Sequence, residues 1–247
     1  MQKNKHVNYI HFVSLDSTNT WAKNNAFVLD PSAVTCITAE EQTAGRGRFF
    51  RRWLSPKGEN LYATLFFQVP KGAKYLGNIP QVLCLSCCSV LKERGFSLQI
   101  KWPNDLLLSS KKLAGVLCET ISMGEYTGVA LGFGVNINMK KELLDLIDQP
   151  ATSLAEQSGH NWKIEEILEA IVKQFLLDLP LLEKEGFSFF HKTYQDLLAF
   201  KGHVISWSDG VKTIKGICHS ISEDGLLNII TATGETIALS SGELKNC

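Results

Sequence analysis

Arg46, Arg48, Arg51 and Arg52 lie close together around Gly45 and Gly47, in the stretch Gln42-Thr43-Ala44-Gly45-Arg46-Gly47-Arg48-Phe49-Phe50-Arg51-Arg52-Trp53. Lys57 follows, and no acid falls between Glu41 and Glu59. The glycines make the backbone permissive and leave its N–H groups approachable. Guanidiniums alternating with glycines are what a polyanion, above all a phosphate, requires. A charge cluster taken alone is more often a solvated basic loop, so its meaning depends on its company. The whole chain balances 25 Lys and Arg against 25 Asp and Glu, which makes this excess local. That balance argues against a protein whose main task is gripping long nucleic acid.

Four further clusters could do chemistry. In Lys101-Trp102-Pro103-Asn104-Asp105, Pro103 biases Trp102 toward an extended conformation, and Asn104 and Asp105 either turn the chain or offer oxygens to a metal or hydroxyl. Lys112 opens an apolar segment at 113–117. Gly132-Phe133-Gly134-Val135-Asn136-Ile137-Asn138 ends an apolar run with amides that could read a purine or a carboxylate. Asp16-Ser17-Thr18-Asn19 places compact hydrogen-bonding groups at a helix start. Each has a plain alternative: a turn with an aromatic anchor, a solvated lysine, turn asparagines, an N-cap. Known nucleotide motifs are absent. No Gly-Lys dipeptide occurs, and Phe50 and Ile137 stand where dinucleotide fingerprints need a third glycine.

A chain of 247 residues with 45% hydrophobic and 20% charged residues is an ordinary globular protein, expected to form one large domain and a small one. Residues 1–12 show no secretory h-region, and the longest apolar run, at 75–91, is broken by Asn78, Pro80 and Gln81. Seven cysteines, an odd number among apolar neighbours, read as buried reduced thiols. Cys84-x-x-Cys87 has no second pair or closely spaced histidines to complete a metal site. A cytoplasmic setting is expected.

The elements that must carry these clusters follow from periodicity. Strands are expected at 8–13, 33–39, 60–69, 97–102, 112–121 and 126–138. Asp16 or Ser17 caps a helix reaching about Phe27, and a second helix runs over 79–94 until Gly95 stops it. Ile164, Ile167, Leu168, Ile171, Val172, Phe175 and Leu179 repeat at helical spacing, and 187–200 is another helix. After Lys201 come short β runs separated by turns at Ser208-Asp209-Gly210, Glu223-Asp224-Gly225 and Thr233-Gly234, the texture of a small barrel. The expected fold class is α+β: a mixed sheet with helices on one face over residues 1–200, then a β-barrel over 201–247.

In chain order, Asp16-Ser-Thr-Asn19, Gln42-x-Ala-Gly-Arg-Gly-Arg48, Lys101-Trp-Pro-Asn-Asp105, Lys112-Leu-Ala-Gly115 and Gly132-x-Gly-Val-Asn136 resemble biotin–protein ligases. The resemblance covers roughly 8–245, because the terminal β unit with Ser241-Gly242-Glu243 is similar to the family's SH3-like domain. It implies an enzyme that joins biotin to ATP as biotinyl-5′-adenylate. Biotin then passes to a lysine of the biotin carboxyl carrier domain of acetyl-CoA carboxylase.

Carried over by position, Ser17, Thr18, Asn19, Gln42 and Gly115 hold biotin, with Arg46, Gly47 and Arg48 around its carboxylate. Lys112 binds the junction of carboxyl and phosphate and, with Arg48, is catalytic. Arg51, Trp53, Asn104, Asp105 and Asn136 lie on the ATP side, Asp105 through Mg²⁺. The resemblance further implies a form lacking a DNA-binding domain, with no nucleic-acid or membrane partner, and allows a homodimer. Phe49-Phe50 stand where the family loop usually carries another glycine, which bears on how the loop retains the adenylate. The rival readings are a lipoate ligase or octanoyl transferase and, from another class, a nucleic-acid-binding module built on 46–57.

Overall fold

Alternation along the strands decides the architecture. In β2 (Val34–Gln42), β3 (Leu61–Pro70) and β7 (Tyr126–Val135), successive side chains leave opposite faces of the sheet. Cys36, Leu65, Phe67, Val129 and Leu131 enter the main core, whereas Ile37, Phe66 and Ala130 form a separate small cluster on the other face. With both faces covered, β3 reads as a nearly unbroken apolar run. The computed structural model describes residues 6–246.

These strands join β1 (Val7–Leu15), β4 (Leu98–Lys101), β5 (Asp105–Leu108) and β6 (Lys111–Met123) in a seven-stranded mixed sheet of order β1-β2-β3-β7-β6-β5-β4. β1 and β2 are parallel and the remaining pairs antiparallel. The main-core face is covered by α2 (Ile79–Lys92) and α3 (Ile164–Glu185), with α4 (Ser188–Leu197) beside them. Helices are not confined to that face. α1 (Thr18–Asn24) lies on the other one, where Ala22 and the following Ala26 are small enough to pack on Ile37, Phe66 and Ala130. It also stops short of Phe27, which is 73% exposed.

β5 was not expected. Its four residues follow a tight turn and carry three leucines without β-branching, a weak strand signal. β7 ends at Val135, so Asn136 and Asn138 lie beyond the strand that was expected to contain them.

The C-terminal part forms an antiparallel five-stranded sheet of order β11-β10-β9-β8-β12, consistent with an SH3-like unit. Its strands are β8 (Val204–Ser208), β9 (Thr213–Ile221), β10 (Leu227–Thr231), β11 (Thr236–Leu239) and β12 (Glu243–Asn246). The expected turn glycines Gly210, Gly225 and Gly234 all have positive φ. Ile205, Cys218, Leu227 and Leu244 share the main core, and Trp102 Nε1 donates to Gly225 O at 3.0 Å. Trp102 is thus the aromatic anchor between the two parts.

Cys36, Cys84, Cys87, Cys88, Cys118 and Cys218 are free thiols. Burial pushes Cys36, Cys88 and Cys118 up to about 12 and Cys218 to about 11, so thiolate chemistry is suppressed. Cys247 lies outside the described residues. Among those described, no helix is long and apolar enough to cross a membrane.

Candidate functional site

The face that carries α1 also carries a cavity of about 1130 Å³. Its floor is built on β6 and β7, where Gly115 faces Gly134 and Leu117 faces Gly132. A Cβ on Gly132 would meet Asn19 Oδ1 at 2.2 Å, and one on Gly134 would meet the Trp53 ring at 2.5 Å. The glycines are therefore required for Asn19 and Trp53 to lie flat on the sheet.

One wall is the start of α1. Ser17 is the N-cap, accepting from Thr20 N at 3.4 Å, and Asp16 Oδ1 accepts from Ser17 N at 2.6 Å. Thr18 N donates to Gln42 Oε1 at 2.9 Å, and Gln42 Nε2 reaches Ser55 Oγ at 3.2 Å. The Thr64 hydroxyl lies 2.7 Å from Asn19 Oδ1 and 2.8 Å from Thr18 Oγ1. Asn19 Nδ2 donates to Leu117 O at 3.1 Å and Glu119 Oε2 at 3.0 Å. Ser17, Thr18, Asn19 and Thr64 are all buried, and hydrogen bonds among them, to Gln42, to backbone and, at Asn19, to the Glu119 carboxylate preform this pocket.

The opposite wall is the arginine-rich segment, which folds as a small hairpin. Gly47 N donates to Arg51 O at 2.7 Å and Trp53 N to Gly45 O at 2.9 Å, with an antiparallel bridge between Arg46 and Arg52. A Cβ on Gly45 would meet Trp53 O at 2.5 Å. The tip is a 3₁₀ turn, Arg48–Phe50, with Phe49 in the left-handed region at φ 53 and the Arg48 guanidinium 4.9 Å from the Phe49 ring centroid.

The segment without neighbouring acids acquires them from elsewhere. Arg46 Nη2 lies 2.6 Å from Glu119 Oε2, and Arg51 Nη2 lies 2.5 Å from Glu243 Oε2. Arg48 Nη1 donates to Asn104 Oδ1 and Gly242 O, both at 3.1 Å. Burial lowers the Arg48 pKa, and Asp105 and Glu243 pull it back up. Arg52 is exposed and makes no ion pair among the described residues.

Lys112 lies by the Gly115 end of the floor, beside Trp53 of the hairpin. Its Nζ lies 2.9 Å from Asp105 Oδ1 and 5.4 Å from the Trp53 ring centroid, and both ion-pair partners are largely shielded from solvent. Asn104 is committed on both sides, since its Nδ2 donates to Val116 O at 2.6 Å. Asn136 is buried and gives Nδ2 to Thr152 O at 3.0 Å, holding the strap after Pro150. Trp53 Nε1 is buried with no acceptor among the described residues.

Every residue nominated from sequence lines this one cavity: Ser17, Thr18, Asn19, Gln42, Arg46, Gly47, Arg48, Arg51, Trp53, Asn104, Asp105, Lys112, Gly115 and Asn136. Sequence reasoning missed Thr64 and Ser55, which brace the neutral wall, and Glu119, which braces the hairpin. It gave no role to Lys101, although the motif containing it was noticed. Lys101 lines the cavity, and burial lowers its pKa while Asp105 raises it. Gly242 and Glu243 were noticed only as part of the terminal β unit. Among the described residues no group of three or more His, Cys, Asp or Glu could by itself hold a metal.

Residues 11–136 match the model of the biotin/lipoate A/B protein ligase family. The bifunctional ligase/repressor BirA of Escherichia coli (strain K12) is 32% identical over 215 residues, covering 86% of this chain and 66% of the relative. The biotin–[acetyl-CoA-carboxylase] ligase of Paracoccus denitrificans is 31% identical over 228 residues, covering 90% and 94% respectively. The solved biotin protein ligase from Aquifex aeolicus in complex with biotin and ATP superposes with a TM-score of 0.82 at 29% identity, covering 97% of this chain and 99% of that one. With its ordered motifs gathered in one cavity, the chain belongs to the biotin/lipoate A/B protein ligase family.

Proposed function

We propose that the protein is a biotin–protein ligase. It condenses biotin with ATP to biotinyl-5′-adenylate, releasing pyrophosphate, and transfers biotin to a lysine of the carboxyl carrier domain of a carboxylase. The observation that carries this reading is one cavity of about 1130 Å³ lined both by the buried neutral pocket and by the cations Arg46, Arg48, Arg51 and Lys112. That volume lies at the upper end of ordinary ligand sites, near 1,000 Å³, and accommodates an acid and a nucleotide together.

In the first step an oxygen of the biotin carboxylate attacks the α-phosphorus and the bond to pyrophosphate breaks. Both reactants are anionic, so their approach needs cations that are already in place. Ser17, Thr18, Asn19, Gln42 and Gly115 take biotin; Lys112 and Arg48 meet the carboxyl–phosphate junction, with Arg46 and Gly47 beside it. Arg51, Trp53, Asn104, Asp105 and Asn136 take the nucleotide side. The hairpin then screens the mixed anhydride from water. In the second step the neutral amine of the acceptor lysine attacks the acyl carbon and AMP leaves.

Asp105 fits a magnesium ion held mainly by phosphates and water, as Mg²⁺ commonly is, rather than a cage of protein ligands. Bound there, Mg²⁺ would offset charge on the phosphate oxygens. The proposal includes a catalytic domain over 1–200 and an SH3-like domain over 201–247, supported by the all-β character from Val204 onward. It includes a cytoplasmic setting and a homodimer, for which the free edge of β1 offers a strand. The carboxylates on Arg46, Arg51 and Lys112 weigh against a nucleic-acid interface.

The test is incubation with ATP, Mg²⁺, an apo carrier domain and either biotin or lipoate, followed by mass measurement. The carrier should gain the mass of one biotinyl group. A gain with lipoate alone would overturn the proposal.

A further inference from the structure

Glu119 lies on β6 just past the cavity floor: Leu117, two residues earlier, lines the cavity, and Glu119 does not. Three donors from two separate parts of the chain nevertheless converge on its carboxylate. Lys23 Nζ lies 2.6 Å from Oε1, while Arg46 Nη2 at 2.6 Å and Asn19 Nδ2 at 3.0 Å share Oε2. Asn19 and Arg46 both line the cavity, one on the neutral wall and one on the cationic wall.

We propose that Glu119 is a positioning residue that registers the biotin pocket against the arginine hairpin. Its negative charge orients the Asn19 amide, holds the Arg46 arm of the hairpin against the sheet and neutralises Arg46 while no anion is bound. The effect on biotin rests on the function proposed above; the effect on the hairpin does not.

Burial would push the Glu119 pKa up, but hydrogen bonds from Lys23 and Asn19 and the charges of Arg46 and Lys23 outweigh it and hold it below the ordinary value. The group is therefore an anion at neutral pH. Asn19 cannot shift toward the sheet to compensate for its loss, because Gly132 lies directly beneath it. Without the anion, Lys23 and Arg46 face each other as like charges and the Arg46 arm is repelled. The far arm stays tied through Arg51 and Glu243, so the hairpin swings out rather than unfolding.

Glu119→Gln keeps the shape and removes the charge. In the ligand-free protein, tryptic cleavage after Arg48, Arg51 and Arg52 should accelerate about tenfold, the scale of one hydrogen bond to a charged group. The KM for biotin should rise by a similar factor with a smaller change in kcat, and preformed adenylate should be lost faster. Arg46→Gln cuts the same link from its exposed end and should give the same cleavage pattern at those three sites. The double variant should be no worse than either single one. Unchanged cleavage in both variants, or effects that multiply in the double variant, would overturn the proposal. If the parent protein fails to biotinylate a carrier, the assigned function falls, while the cleavage comparison still decides the role of Glu119.

Discussion

The two walls of the cavity are built on opposite physical plans. At the start of α1, Ser17, Thr18, Asn19 and Thr64 are neutral, at most 4% exposed, and satisfied by one another, by Gln42, by backbone and, at Asn19, by the Glu119 carboxylate. On the hairpin, Arg46 and Arg51 are 39% and 51% exposed in their side chains and hold carboxylates that an incoming anion can replace. A pocket of neutral partners is preorganised and pays little on binding. Ion pairs near water are weak and exchangeable. One wall is buried and rigid, and the other holds its cations in partly exposed ion pairs.

The largest effect is expected at Lys112, beside the hairpin. Lys112→Ala should slow adenylate formation in a single turnover by about 10²–10³, the usual cost of one preorganised donor. Arg48→Ala, with Arg48 acting from the movable side, should show itself mainly as faster loss of adenylate already formed. If both variants form and keep adenylate normally, the division of roles is wrong.

The next largest effect belongs to the rigid wall. Gly132→Ala would drive a methyl group into Asn19. It should cost about 1–3 kcal/mol of stability in thermal unfolding and up to about 10² in biotin affinity by calorimetry. Wild-type affinity would mean that the pocket yields and is not preorganised.

Glu243→Gln tests the movable wall. Loss of an exposed pair is worth about 0.2–1 kcal/mol, so adenylate release should quicken by up to about fivefold at low salt. The difference should fade as ionic strength rises. A difference that persists at high salt would show that Glu243 acts through packing.

The smallest effect is a proton. Burial places the Lys101 pKa below its ordinary 10.5, with Asp105 opposing the shift. As pH climbs from that lowered value toward 10.5, the folded protein sheds this proton before the unfolded chain does, so stability rises with pH in that window. A bound polyphosphate favours the ammonium. Pyrophosphate binding in that window should therefore take up a fraction of a proton, measured by calorimetry in buffers of different ionisation enthalpy. Lys101→Met should abolish the uptake.

The two walls were also unequally legible in the sequence. The Ser17–Asn19 cap and the main helices follow from local chemistry and spacing, which short-range rules capture. The hairpin did not, because its partners Glu119 and Glu243 lie 73 and 192 positions from the arginines they hold. Reading the segment as an uncompensated cationic loop was correct along the chain and incomplete in space. β5 escaped notice because four residues carry little periodicity. The site-facing glycines of β7 were visible, but their purpose depends on what lies over them. Gly132 and Gly134 looked like a failed dinucleotide fingerprint and are instead the seats of Asn19 and Trp53.

Those seats have a consequence for divergence and redesign. An enzyme can change its substrate by altering any surface that the substrate touches, but a surface of bare backbone under packed side chains has no smaller residue to mutate to and no room for a larger one. Gly132 and Gly134 are therefore closed to variation by single substitution. Under the proposed function, new acyl groups would have to be admitted elsewhere, through α1, Leu117 or the hairpin, and libraries aimed at altered specificity belong there.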